Sequence, residues 1–112
     1  MNTVLSLNEL KRLADIGAAG LQHSMPNEAA SIFQSIIPFC PPNSNGPLVG
    51  LAMAKYGMLE SDEAISILKD KALVDNPDCV DTHLHLAMIY QSLDREDECV
   101  FCLLYTSDAA DE

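Results

Sequence analysis

Asn27-Glu28-Ala29, Asp62-Glu63-Ala64 and Asp97-Glu98-Cys99 follow one another at a fixed interval of 35 residues, so whatever structure one cluster adopts must recur twice more. The echo extends outward from these clusters. Ile16, Leu51 and Leu86 share a phase, as do Gly17, Ala52 and Ala87, and as do Pro42 and Pro77. A single matching column arises easily by chance, whereas several columns of chemically similar residues define a tandem array. Between the echoes the apolar residues fall at helical intervals, as at Leu10, Leu13, Ala14, Gly17, Ala18 and Leu21. The expected class is therefore all-α, a solenoid of about three helical hairpins with the last one truncated.

Each hairpin can be traced from its start and stop signals. In the first, Ser6 followed by Glu9 forms a capping box, in which each side chain satisfies the other's free backbone amide. A turn is expected over Gln22 to Met25, and Pro26 suits the first turn of the second helix, where a missing amide hydrogen costs nothing. That helix turns Ala29, Ile32, Phe33, Ile36 and Ile37 inward until Pro38, and Pro41, Pro42, Asn43, Asn45 and Gly46 then forbid regular structure. In the second, Pro47 opens a helix with Leu48, Leu51, Ala52 and Lys55 or Tyr56 inward. Ser61 is expected to cap the next helix, with Asp62 and Glu63 meeting the positive end of its dipole and Ala64, Ile65, Ile67, Leu68 and Ala72 buried. The third runs from Val80 to Leu93 with Leu86, Ala87, Ile89 and Tyr90 at packing sites, then restarts near Arg95 with Cys99, Val100 and Phe101 as its apolar side. A period near 34 residues, small residues at two fixed sites and a proline near the unit end resemble the tetratricopeptide repeat.

Composition narrows what such an array binds. The 112 residues leave room for one modest domain. A formal net charge of −11, with only six basic residues, excludes nucleic acid and anionic lipid, since both need Lys and Arg to displace counterions from phosphates. The start, Met1 to Asn8, lacks a basic region ahead of an apolar stretch, and the longest apolar run, around Leu48 to Ala54, is too short for membrane insertion. A cytoplasmic location is expected, with the four irregularly spaced cysteines as small buried residues in a reducing compartment.

The segment Cys102 to Glu112 (Cys-Leu-Leu-Tyr-Thr-Ser-Asp-Ala-Ala-Asp-Glu) resembles one reading frame of the transposon-end adapter used in tagmentation sequencing libraries. This implies a repeat domain over residues 1–101 and a non-native tail over 102–112. Without Asp108, Asp111 and Glu112 the net charge of −11 becomes −8, so the acidic character does not depend on the tail. The same reading disposes of the Cys99-x-x-Cys102 pair as a redox or zinc motif. Cys99 stands in the column of Ala29 and Ala64 and reads as a packing residue.

The tetratricopeptide resemblance implies that the first helix of each unit lines a concave groove where ligands bind. Mapped onto this chain, the groove columns are Ala14, Ala18 and Leu21 in the first unit, Val49, Met53 and Tyr56 in the second, and Leu84 and Met88 in the third. This set is apolar, and Met53 and Met88 share a column; methionine adapts readily to varied apolar ligands. Tetratricopeptide domains that grip a chaperone's C-terminal carboxylate carry Lys, Asn and Arg at these columns. Ala14, Val49, Leu84, Ala18, Met53 and Met88 make such a clamp unexpected. The competing reading of any one apolar stripe is buried core.

Other chemistry is sparse. His83 and His85 with Cys79 and Asp81 could be drawn as a metal cluster, but Cys79 and His83 share a helical turn that His85 does not, and zinc needs convergent ligands. No metal or other cofactor is expected, and His83 reads as a surface or groove residue. No nucleophile and base pair, glycine-rich phosphate loop or paired carboxylates stand out, so an enzyme is not expected. Glu60, Asp62, Glu63 and the run Glu96 to Glu98 read as solvated helix starts.

Leu13 to Gly17, Ala29 to Phe33, Pro47 to Ala54 (Pro-Leu-Val-Gly-Leu-Ala-Met-Ala), Asp62 to Leu68 and His85 to Tyr90 together resemble small tetratricopeptide proteins of bacterial type III secretion systems, the Hrp-type and YscG/EscG-like needle co-chaperones. The resemblance spans about Leu10 to Phe101. It implies a cytoplasmic chaperone or adaptor that shields the amphipathic helix of a secreted needle-type subunit in its groove, often together with a second small helical co-chaperone. The alternative is a terminal fragment of a longer tetratricopeptide scaffold that mediates protein assembly.

Overall fold

The computed structural model describes residues 5–42 and 44–110, the last four by their helical backbone alone. It is all-helical, with no strand among the described residues. The elements are α1 (Leu7–Gln22), α2 (Pro26–Ile36), a 3-10 turn (Ile37–Phe39), α3 (Gly46–Gly57), α4 (Ser61–Ser66), a π-helical stretch (Ile67–Ala72), α5 (Leu73–Asp75), α6 (Val80–Ser92) and α7 (Glu96–Ala110). α4, the π stretch and α5 run on without a break, so they act as one rod.

Helix α1 starts at the expected Ser6 cap, but only half of the capping box forms, since the Glu9 carboxylate meets the Ser6 hydroxyl and not its amide. The Ser6 hydroxyl accepts from the Glu9 amide at 3.2 Å and donates to the Glu9 carboxylate at 3.1 Å. Pro26 and Pro47 sit in the first turns of α2 and α3. Ser61 does not cap α4. It is the first helical residue, Glu60 precedes it as N-cap, and no side chain caps the amides there. The reason lies in the preceding turn, which delivers the chain directly into the helix.

That turn recurs. Ser24, Leu59 and Asp94 all have positive φ, at 58°, 65° and 58°, and stand in one 35-residue column. In each case the next amide bonds back across the turn, Met25 to the Gly20 carbonyl at 2.8 Å, Glu60 to Lys55 at 2.9 Å and Arg95 to Tyr90 at 2.9 Å. This is the Schellman arrangement, in which a left-handed residue lets two later amides satisfy the orphan carbonyls of the helix end. The side chains flanking the bond reinforce it. Lys55 pairs with Glu60 at 3.6 Å, and the Arg95 guanidinium lies 4.9 Å from the centre of the Tyr90 ring.

Successive helices pack antiparallel. Phe33 of α2, only 4% exposed, presses its ring on Gly17 of α1 and Gly50 of α3 so closely that a Cβ at either glycine would overlap it. Towards the other end of α2, Pro26 meets Gly57 and Ala29 meets Gly20. α1 also touches α3, α3 touches α6, and α6 packs along α7. The core consists of Phe33, Ile36, Leu51, Ala52, Ala54, Ile65, Ile67, Leu68, Leu86 and Ile89 with the small residues Ala29 and Ala64 between them.

One shared column diverges in burial, and two expectations, in α3 and in α7, need correction. Ile16 is 56% exposed although its column mates Leu51 and Leu86 are buried, because α1 has no described helix on its far side. In α3 the fully inward residues are Val49, Gly50, Leu51, Ala52 and Ala54, while Leu48, Lys55 and Tyr56 are only half-buried, since this helix is covered from both α2 and α4. In α7, Val100 and Phe101 face outward at 50% and 61% exposure, and Cys102, in the column of Ile67, is the side chain that enters the core. α7 passes through residues 101 and 102 without interruption, because Cys-Leu-Leu-Tyr contains no helix breaker. The polar outer columns Gln34/Lys69 and Ser35/Asp70 nevertheless continue in it as Leu104 and Tyr105.

Candidate functional site

The contacts of α1 with α3 and of α3 with α6 set the three first helices of the hairpins side by side. Their shared columns become rows across that layer. Ala18, Met53 and Met88 form one row: Ala18 is exposed, Met53 half-buried and Met88 44% exposed. Ala14, Val49 and Leu84 form the next, and here burial varies more. Leu84 is 46% exposed and Ala14 half-buried, but Val49 is 6% exposed and belongs to the core. Leu21 and Tyr56 are half-buried toward the C-terminal ends of α1 and α3. Seven of the eight anticipated residues thus keep some contact with solvent, and the accessible apolar surface is greatest on α6, where Leu84 and Met88 stand one turn apart.

The six positions of these two rows carry no charged side chain. Lys55, the basic residue nearest in sequence, is drawn away into pairs with Glu60 at 3.6 Å and Glu63 at 3.3 Å. A side-chain hydrogen bond shared with Glu60, and then one donated by Lys55, lower the Glu63 carboxyl below its ordinary range. The layer offers contact area and shape.

His83 is the residue that sequence reasoning misplaced. It is 4% exposed, with Nε2 at 2.8 Å from the Pro77 carbonyl and the ring stacked on Tyr105 at 4.2 Å between centroids. A carbonyl can only accept, so Nε2 carries a proton toward it, and Nδ1 is buried without a protein partner. His85 turns the other way, to the Asp81 carbonyl at 2.8 Å. Their separation leaves the Cys79, Asp81, His83 and His85 set without a common centre, and no group of three or more His, Cys, Asp and Glu among the described residues could hold a metal ion.

An apolar cleft of about 450 Å³ opens between the π stretch, α6 and α7, walled by Leu73, His83, Leu86, Tyr90 and Phe101. Apolar spacing along single helices does not reveal it. A signal was available in retrospect, since Cys102 replaces the larger Ile67 in its column. Burial pushes the Cys102 thiol up, and the neighbouring Cys99 and Glu98 add to this, so a reactive thiolate is disfavoured there.

Neither a family model nor a curated protein sequence matches the chain. No described helix is long and apolar enough to cross a membrane.

Proposed function

We propose that the chain is a tetratricopeptide-type array that binds the apolar face of an amphipathic protein helix along its layer of first helices, acting as a cytoplasmic chaperone or adaptor. The observation that carries this reading is the row Ala18, Met53 and Met88 with Leu84 beside it, apolar and accessible on three neighbouring helices. Scattered apolar residues on a surface need no explanation, but aligned rows across packed helices supply the anchors that helix-in-groove recognition uses. Flexible thioethers in the middle of the row suit a partner whose side chains vary. The resemblance to type III secretion co-chaperones names the class of partner, a needle-type subunit whose amphipathic helix must be kept from self-assembly before export.

The test uses a peptide carrying the amphipathic C-terminal helix of a type III needle subunit. Binding is expected for the unaltered chain and at least a tenfold loss for Ala18→Glu with Met88→Glu, both exposed positions where glutamate leaves the core intact. Far-UV circular dichroism checks that helicity is retained. Undiminished binding by the double variant would overturn the groove reading.

A further inference from the structure

The accessible apolar pair Leu84 and Met88 lies on one stripe of α6, with Asp81 a turn before it and Gln91 a turn after. A hollow opens at each end of that stripe. The one at the start, about 410 Å³, lies between α6 and the start of α3 and is walled by Asn45, Gly46, Asp75, Asp78 and Asp81. The one at the end, about 330 Å³, is walled by Gln91, Asp94, Glu96 and Cys99, where the chain turns into α7. Five exposed carboxylates therefore flank the apolar pair, and neither hollow is walled by a Lys or Arg. None of the five pairs with Lys or Arg among the described residues. Arg95, the nearest base in sequence to Asp94 and Glu96, is held by Glu98 at 2.6 Å, and Asp81 faces the His85 ring at 3.5 Å.

Building on the groove proposed above, and resting on that reading, we infer that the helix it receives carries Lys or Arg on both flanks of its apolar face, one flank directed into each acidic hollow. Asp81 and Gln91 are ten residues apart on α6, or about 15 Å at 1.5 Å per residue, and a helix with its side chains is about 10–12 Å across. A helix that crosses α6 over Leu84 and Met88 thus fills the space between the hollows and leaves one flank against each. Lys and Arg suit these places because their apolar stems extend the contact while the charged heads reach the carboxylates. Acidic flanks would meet like charge on both sides, in concavities that focus the field of their walls. The demand for positive charge is confined to the α3–α6 side of the layer, since Lys11 on α1 occupies the column of Gly46 and Asp81.

Three helical peptides with the same leucine face and Lys, Gln or Glu on both flanks test this by fluorescence anisotropy in low and high salt. The Lys peptide is expected to bind about tenfold more tightly than the Gln peptide in low salt and the Glu peptide more weakly than either, the differences shrinking in high salt as exposed charges are screened. Asp78→Asn with Asp81→Asn, and separately Asp94→Asn with Glu96→Gln, are each expected to cost about threefold in affinity for the Lys peptide at low salt, with helicity checked by circular dichroism. Equal binding of the three peptides would overturn the charge assignment and leave the apolar groove standing. So would full affinity for the Lys peptide in either variant, which would trace the preference to net charge alone. Failure of all three peptides to bind would overturn the groove itself, and the charge assignment with it.

Discussion

At the scale of single residues, the turns hold the most information that composition concealed. Left-handed backbone costs an L-residue roughly 1–2 kcal/mol, and helix ends usually spend a glycine there. Ser24, Leu59 and Asp94 occupy that position instead. Nothing in a serine, a leucine and an aspartate announces a shared conformation, so a column with no common chemistry went unread although its spacing was available. Leu59 is the clearest case, because it is also 90% exposed and gains nothing from packing. Leu59→Gly is expected to raise stability by about 1 kcal/mol, read as a higher urea midpoint with an unchanged slope. A lower midpoint would mean that the leucine makes contacts its exposure does not reveal. The burial of His83 is hidden in the sequence for a related reason. A histidine looks polar in a sequence, yet one hydrogen bond to Pro77 and a stacked ring are enough to keep it inside.

At the scale of elements, sequence signals located the helices well because they are local. The Ser6 cap, the prolines at the starts of α2 and α3 and the apolar spacing each act within a turn or two of the chain. The π-helical stretch from Ile67 to Ala72 was not legible. Contacts between elements follow size at particular columns. Gly50 admits the Phe33 ring, so Gly50→Ala forces the ring or the helix to move and is expected to cost about 1–3 kcal/mol in chemical denaturation. Pairing it with Phe33→Leu should recover part of that loss, since leucine already fills the equivalent column at Leu68.

At the scale of the whole molecule, a buried polar joint ties the loop ahead of α3 to the third hairpin. Asn45, 8% exposed, donates from Nδ2 to the Thr82 hydroxyl at 2.9 Å and to the Ala72 carbonyl at 3.2 Å, while its Oδ1 accepts from Asn76 at 2.6 Å. Thr82 is fully buried, so removing its partner strands a hydroxyl. Asn45→Ala is expected to destabilise by about 2 kcal/mol, and Asn45→Ala with Thr82→Val by less than the two single changes added together. Additive costs, measured by denaturation of all three variants, would show that the pair does not act as a unit. The sequence placed Asn45 only in a loop between prolines, because its partners lie 27 to 37 residues away.

The sequence by itself determined that the chain is helical and where its helices begin, since periodicity, caps and prolines act over a few residues of one strand of polymer. It also supplied the columns from which the candidate binding rows were drawn. Which residues of those columns stay accessible was decided only in three dimensions, by how many neighbours each helix has. Val49 lies in the core because α3 is flanked on both sides, whereas Met88 and Leu84 remain exposed. Ile16 and Val100 share columns with buried residues and are exposed for the complementary reason, that α1 and α7 each lack a described neighbour on one face. Burial belongs to the assembly of helices, and identical columns therefore acquire different roles at the middle and the ends of the same chain.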